Sequence, residues 1–145
     1  MYVLDTDYVV LLQRGGDGPE LRRLLQRMAG YSERSFFYPI IAFQEQMLGA
    51  HAYVARARTR RELVRGYGML QQVLADFSLA QVLPFDDPAA QQFEELRSQR
   101  IRVGTMDLRI GSIAISRGMI VLTRNLVDFQ AIPGLAVEDW TVDSQ

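Results

Sequence analysis

The chain contains no cysteine, so it forms no disulfide and no thiolate metal site. Its only histidine is His51, which excludes a zinc centre built on several imidazoles. Lysine is absent as well. All 16 positive charges are arginines, set against 17 acids, for a formal net charge of −1. The chain as a whole is therefore no polycation. No apolar run reaches the ~18 residues that would suggest a membrane-spanning helix, and no basic segment of the kind that opens a secretory signal begins the chain. The expectation is a cytoplasmic protein with no membrane contact.

What is present is a chain of 145 residues, 48% hydrophobic, with no repeat, low-complexity tract or linker. That is enough for one domain over 1–145 with its own core. Residues 2–5 read as a short buried strand and 7–14 as a helix stopped by Gly15-Gly16. Pro19 suits the first turn of a helix over 19–29. "SFFYP" (35–39) reads as a strand, followed by a helix from Ile40 to Arg56.

The helix over 60–78 places Leu63, Tyr67, Leu70, Leu74 and Phe77 at alternating steps of four and three. That stripe is expected to be core, with a partner groove as the alternative. "AQVLPF" (80–85) reads as a strand. Pro88 opens a helix running to Arg102, and Thr105 is placed to cap another over 106–117. "MIVLT" (119–123) is apolar on both parities, the pattern of a strand buried on both faces. A short helix (125–130), a turn at Pro133-Gly134 and a strand over 136–140 follow. Alternating strands and helices argue an α/β fold, a mostly parallel central sheet with helices on both sides. Ligands bind such sheets at the carboxyl ends of the strands.

Four acids occupy places where a core residue is expected. Asp5 ends the first strand. Glu45 falls between Ile41 and Leu48 on a stripe continued by Ala52 and Ala55. Asp107 shares a helix face with Ile110, Gly111 and Ala114. Asp128 sits between Val127 and Phe129 after the buried strand. Each has an ordinary alternative: a helix cap for Asp5, a stripe edge for Glu45, a dipole-favoured first turn for Asp107, a loop acid for Asp128. Together they describe an acidic cluster that suits a hard divalent cation, Mg²⁺ or Mn²⁺, and phosphodiester hydrolysis.

"YVLDTDYVV", "FQEQMLGA", "TMDLRIGSIAISRG" and "VLTRNLVDFQAIPGLAVEDW" resemble, in order and spacing, the motifs of PIN-domain ribonucleases. The likeness is greatest to VapC-type toxins of bacterial toxin–antitoxin pairs. The resemblance implies a single PIN-like α/β domain and a Mg²⁺- or Mn²⁺-dependent endoribonuclease. Asp5, Glu45, Asp107 and Asp128 match the family's acids as catalytic residues and metal ligands. Thr6, Thr123 and Asn125 match polar positions close to the site. An RNA substrate, a cognate antitoxin and a homodimer are implied as partners. Asp7 departs from the pattern, since many relatives carry Asn there; it strengthens metal binding, orients a metal-binding carboxylate or caps the helix, the last two being favoured. The alternatives are a PIN-fold RNA- or protein-binding module of weak activity and a housekeeping RNA-processing nuclease.

RNA approaching an acidic site needs positive charge at the rim. "VARARTRRELVR" sets Arg56, Arg58, Arg60, Arg61 and Arg65 against Glu62 alone, and Arg124 directly follows the buried strand. Arg124, Arg56, Arg60 and Arg61 are the candidate RNA contacts; a solvated surface is the alternative for the Arg56–Arg65 group. The two acids of "YVLDTDYVV" are expected to be unequal. In a cleavage assay on total RNA, Asp5→Asn should abolish activity and Asp7→Asn should be tolerated; equal loss from both would make Asp7 a ligand.

Overall fold

Strands that are apolar at consecutive positions need a sheet covered on both sides, and the computed structural model, which describes residues 1–143, supplies one. In chain order the elements are β1 (Tyr2–Leu4), α1 (Thr6–Arg14), α2 (Pro19–Met28), a 3₁₀ turn (Glu33–Ser35), β2 (Phe36–Pro39), α3 (Ile40–Arg56) and α4 (Arg60–Leu79). Then come β3 (Val82–Leu83), α5 (Asp87–Ser98), α6 (Thr105–Arg117), β4 (Ile120–Leu122), α7 (Leu126–Gln130) and β5 (Val137–Glu138). The five strands are all parallel, in the order β3-β2-β1-β4-β5.

Side chains alternate across each strand. Val3 and Val121 face a core half built with Phe93, Leu108, Ile110, Ile113 and Phe129 from α5, α6 and α7. Leu4 and Leu122 face the other half, built with Tyr8, Val9, Leu24, Val73, Phe77 and Trp140. The two halves explain why "MIVLT" is apolar on both parities. β1 pairs with β2 on one side and with β4 on the other, in register Val3↔Phe37 and Val3↔Val121. The chain thus moves outward from β1 to β3 and then returns to start β4 against β1. That reversal opens a crevice at the carboxyl ends of β1 and β4, where parallel sheets bind ligands.

Several local expectations are corrected. The helix begun at Pro88 ends at Ser98, not Arg102, and Arg100 takes a left-handed φ of 54°. Gly104, not Thr105, is the N-cap of α6, and no side chain caps it. The edge strands shrink to residues 82–83 and 137–138, because only those positions find ladder partners.

The largest correction concerns α4. Its core face is Gly66, Val73 and Phe77. Of the expected stripe only Phe77 is core; Leu63, Tyr67 and Leu74 are 43%, 56% and 65% exposed. The helix is rotated because α3 approaches it closely at Gly66, where an added Cβ would stand 2.7 Å from Val54 Cγ2 and 3.1 Å from Tyr53. Amphipathic spacing identifies a stripe but not what covers it.

Gly66→Ala tests that contact. Alanine favours a helix by about 1 kcal/mol over glycine, which offsets part of an overpacking cost of about 1–3 kcal/mol, so the protein should lose up to about 2 kcal/mol net, read as a lower midpoint in thermal unfolding. A raised midpoint would mean the two helices part without cost.

Candidate active site

Asp5 joins β1 to α1 and is held by both. Its backbone N–H donates to the Leu122 carbonyl at 3.1 Å, extending the β1–β4 ladder by one rung. Its Oδ1 accepts the Tyr8 N–H at 2.9 Å, which makes Asp5 the N-cap of α1. Its Oδ2 accepts the Thr123 hydroxyl at 2.6 Å, and Thr123 Oγ1 accepts the Asn125 N–H at 2.8 Å. The cap and the site acid are therefore one residue, and only 4% of Asp5 is exposed. A carboxylate has about four lone-pair sites, so both oxygens retain acceptor capacity.

A cavity of about 540 Å³ opens beside it, lined by Asp5, Thr6, Asp7, Glu45, Asp107, Arg124 and Asn125. Glu45 comes from α3, and the Thr6 hydroxyl donates to its Oε1 at 2.7 Å. Asp107 comes from the first turn of α6. Asp128, on α7, does not line the cavity; its Oδ2 accepts from Asn125 Nδ2 at 2.8 Å. Of the four expected acids, the structure thus places three around one cavity and the fourth beside it.

The acids feel one another. Burial pushes the Asp5 carboxyl up to about 6, against the lowering effect of its bonds from Thr123 and Tyr8, and the charges of Asp7 and Asp107 add to the rise. Burial also raises Asp107, followed by the charges of Glu45 and then Asp128. Among the described residues, none of Asp5, Glu45, Asp107 or Asp128 forms an ion pair.

The one arginine on the cavity wall is engaged elsewhere. Arg124 Nε and Nη2 donate to the two oxygens of Asp7, both at 2.6 Å, and Nη1 donates to Glu20 on α2. Asp7 neither caps α1 nor touches the other acids; it binds Arg124. Glu20 was not singled out by sequence, where it reads only as a first-turn acid behind Pro19. Arg56, Arg60 and Arg61 are exposed around the α3–α4 turn. Arg56 stands 11 positions after Glu45 on the same helix, about 16 Å along its axis, away from the cavity.

The donor chemistry bears on which cation fits. Every candidate ligand is an oxygen, the carboxylates lack paired cations, and His51 lines a different cavity. No three acidic or histidine side chains among the described residues stand close enough to form a finished metal cage. Mg²⁺ does not need one, since it keeps several waters and takes one or two carboxylates. The residues fit a hydrated hard cation and do not fit zinc.

A larger cavity, about 910 Å³, adjoins α3 on another side and is mainly apolar. Ile40, Phe43, Met47, Leu48, Leu70, Phe85 and Phe93 line it, with Gln44, His51 and Arg109. Leu48, expected inside, is 54% exposed on this surface. It lines the cavity together with Leu70 of α4, while the two helices also meet at Val54 and Gly66.

No protein-family model matches the chain, and no curated protein matches it in sequence. Solved structures do match. A chain of the DNA-bound VapBC complex from Salmonella typhimurium is 24% identical with a TM-score of 0.68, over 96% of this chain and 97% of that one. A chain of VapBC-1 from nontypeable Haemophilus influenzae is 20% identical with a TM-score of 0.74, over 97% and 98%. VapBC-5 from Mycobacterium tuberculosis, a member of the VapBC family of toxin–antitoxin systems, gives 25% and 0.54, over 97% of each chain. The chain has a PIN-like fold. The coverage means that this PIN-like fold takes up nearly all of it, as the sequence motifs implied. In that fold Asp5 and Thr123 follow the two strands, β1 and β4, between which the crevice opens.

The raised Asp5 carboxyl has a consequence for stability. A group that binds its proton more tightly folded than unfolded stabilises the fold when protonated and disfavours it when charged. Stability should therefore fall as pH rises from about 4 through about 6, with the cost complete above that range. In chelator-treated protein, Asp5→Asn should be more stable than wild type at pH 8, by on the order of 1–3 kcal/mol, and the gap should close by pH 4. Urea unfolding at both pH values measures it; a wild type as stable as the variant at pH 8 would contradict the assignment.

Proposed function

We propose that this chain is a Mg²⁺- or Mn²⁺-dependent endoribonuclease and the toxin of a toxin–antitoxin pair. One observation carries the reading: Asp5, Glu45 and Asp107 arrive from β1, α3 and α6 at one crevice, and no cationic side chain among the described residues pairs with any of them. Like charges gathered around a buried carboxylate such as Asp5 are costly unless a cation joins them. A hard cation bound there supplies charge neutralisation at a phosphodiester and activates water.

In this reading Asp5, Glu45 and Asp107 hold the cation, and Asp128 adds its charge from beside Asp107. Thr123 orients the Asp5 carboxylate, Thr6 that of Glu45 and Asn125 that of Asp128, each through the hydrogen bond already described. Cation and proton compete for the same oxygens of Asp5 and Asp107, so binding weakens toward acid pH. RNA is the substrate, with Arg124 at the rim and Arg56, Arg60 and Arg61 within reach of a longer strand.

The partner reading rests on fold and surface. The chain shares its fold with chains of VapBC complexes, the one from Salmonella typhimurium bound to DNA. It also leaves apolar side chains uncovered on α3 and α4, a surface that suits protein partners. We assign these as a cognate antitoxin and a second copy of the chain. The incomplete metal cage favours a second reading, a PIN-fold binding module with little turnover. A housekeeping RNA-processing nuclease would share the site but have no antitoxin gene beside it.

Purified protein should cleave RNA with Mg²⁺ or Mn²⁺ and stop with EDTA. Asp107→Asn should lose activity by more than ~100-fold, beyond the loss usual for residues that merely support a metal ligand. Cleavage by Asp107→Asn at the wild-type rate would remove the site assignment. RNA binding with no metal-dependent cleavage would favour the binding module. Growth arrest on expression, relieved by a small reading frame just upstream, is the outcome that separates a toxin from a housekeeping enzyme.

A further inference from the structure

Arg124 presents a problem that the proposed site does not solve. It lines the same cavity as Asp5, Glu45 and Asp107. It directly follows Thr123, whose hydroxyl lies 2.6 Å from Asp5. A guanidinium cannot be deprotonated in a protein, and three unpaired carboxylates are within its neighbourhood. Left free, it would pair with them and compete with any cation for the same oxygens. The structure instead turns it aside. Asp7 takes Nε and Nη2 in a two-pronged pair, and Glu20 takes Nη1. The fork geometry is specific to arginine and carboxylate, and it draws the two acids from different helices, α1 and α2.

We propose that Asp7 and Glu20 act as keepers of Arg124, holding its guanidinium against the cavity wall so that Asp5, Glu45 and Asp107 stay available to a divalent cation. Asp7 is then a positioning residue that acts through Arg124, and not a ligand. This accounts for its charge at a position two residues from Asp5. An amide there could accept one hydrogen bond from the guanidinium but could not match both prongs or offset its charge. The inference rests on the metal reading for its purpose, but the placement of Arg124 is independent of that reading.

The test is a double-mutant cycle on the full chain, with Mn²⁺ alone as the probe and affinity read by calorimetry or electron paramagnetic resonance near pH 7.5. Asp7→Asn, which the sequence alone leads one to expect to be tolerated, should instead weaken Mn²⁺ binding by about tenfold, the scale of losses seen when a supporting partner of a metal site is removed. Adding Arg124→Met to Asp7→Asn should restore affinity to within about threefold of wild type, and Arg124→Met alone should change it by less than that.

Unchanged affinity in Asp7→Asn would overturn the proposal, as would a double variant as weak as the single one. An Arg124→Met gain as large as the Asp7→Asn loss would reduce the effect to additive charge and overturn it too. If the wild type binds no Mn²⁺, the metal reading fails and a crystal structure of Asp7→Asn decides this inference by itself. Arg124 on Asp5, Glu45 or Asp107 upholds it; Arg124 still on Glu20 overturns it.

Discussion

A carboxylate at the end of a strand buried on both faces must find protein donors or a counter-ion, and Asp5 meets that constraint only in part. The Tyr8 N–H and the Thr123 hydroxyl satisfy one acceptor position on each oxygen, but burial still outweighs them and raises its pKa. Much of the architecture around the crevice follows from this. The first donor exists because α1 begins at Thr6, one residue after Asp5. The second exists because β4 pairs in register with β1 and ends at the same level. The charges of Asp7 on α1 and Asp107 on α6 add to the rise in the Asp5 pKa instead of relieving it.

Charge at the crevice is sorted by partner. Asp5, Glu45 and Asp128 keep hydroxyl, amide and backbone donors: Thr123 and Tyr8 for Asp5, Thr6 for Glu45, Asn125 for Asp128. Asp7 and Glu20 take the guanidinium of Arg124. Neutral donors orient a carboxylate without cancelling its charge, whereas a guanidinium would do both. An arginine-only cation set makes that separation matter, since none of these positive charges can be lost by deprotonation. The arginines around the α3–α4 turn do not line the crevice.

The uncovered apolar side chains of α3 and α4 have a structural origin. The close approach at Gly66 sets how the two helices meet. It sends Val73 and Phe77 into the core and leaves Tyr67 and Leu74 outside. Leu48 of α3 is also exposed, beside the larger apolar cavity. A single small residue thereby decides which of two apolar stripes on one helix is core and which is surface.

The sequence alone determined the class of fold and the order of its elements. "MIVLT" and "YVL" are apolar at consecutive positions, a pattern that only a sheet covered on both faces accommodates, and helical spacing separates them. It also determined that Asp5, Glu45 and Asp107 were out of place among apolar neighbours, because local periodicity reports a polar residue in an apolar series. What it could not hold is any relation between residues distant along the chain. That Thr6 meets Glu45, Thr123 meets Asp5, and Arg124 meets both Asp7 and Glu20 depends on β1 lying between β2 and β4. Asp128 standing beside the cavity, and not in its wall, depends on how α7 leaves β4. The surface stripe of α4 followed from a helix–helix contact that no one-dimensional period encodes. Local pattern determined which side chains were unusual; tertiary packing decided which of them share a cavity and which neutralise one another.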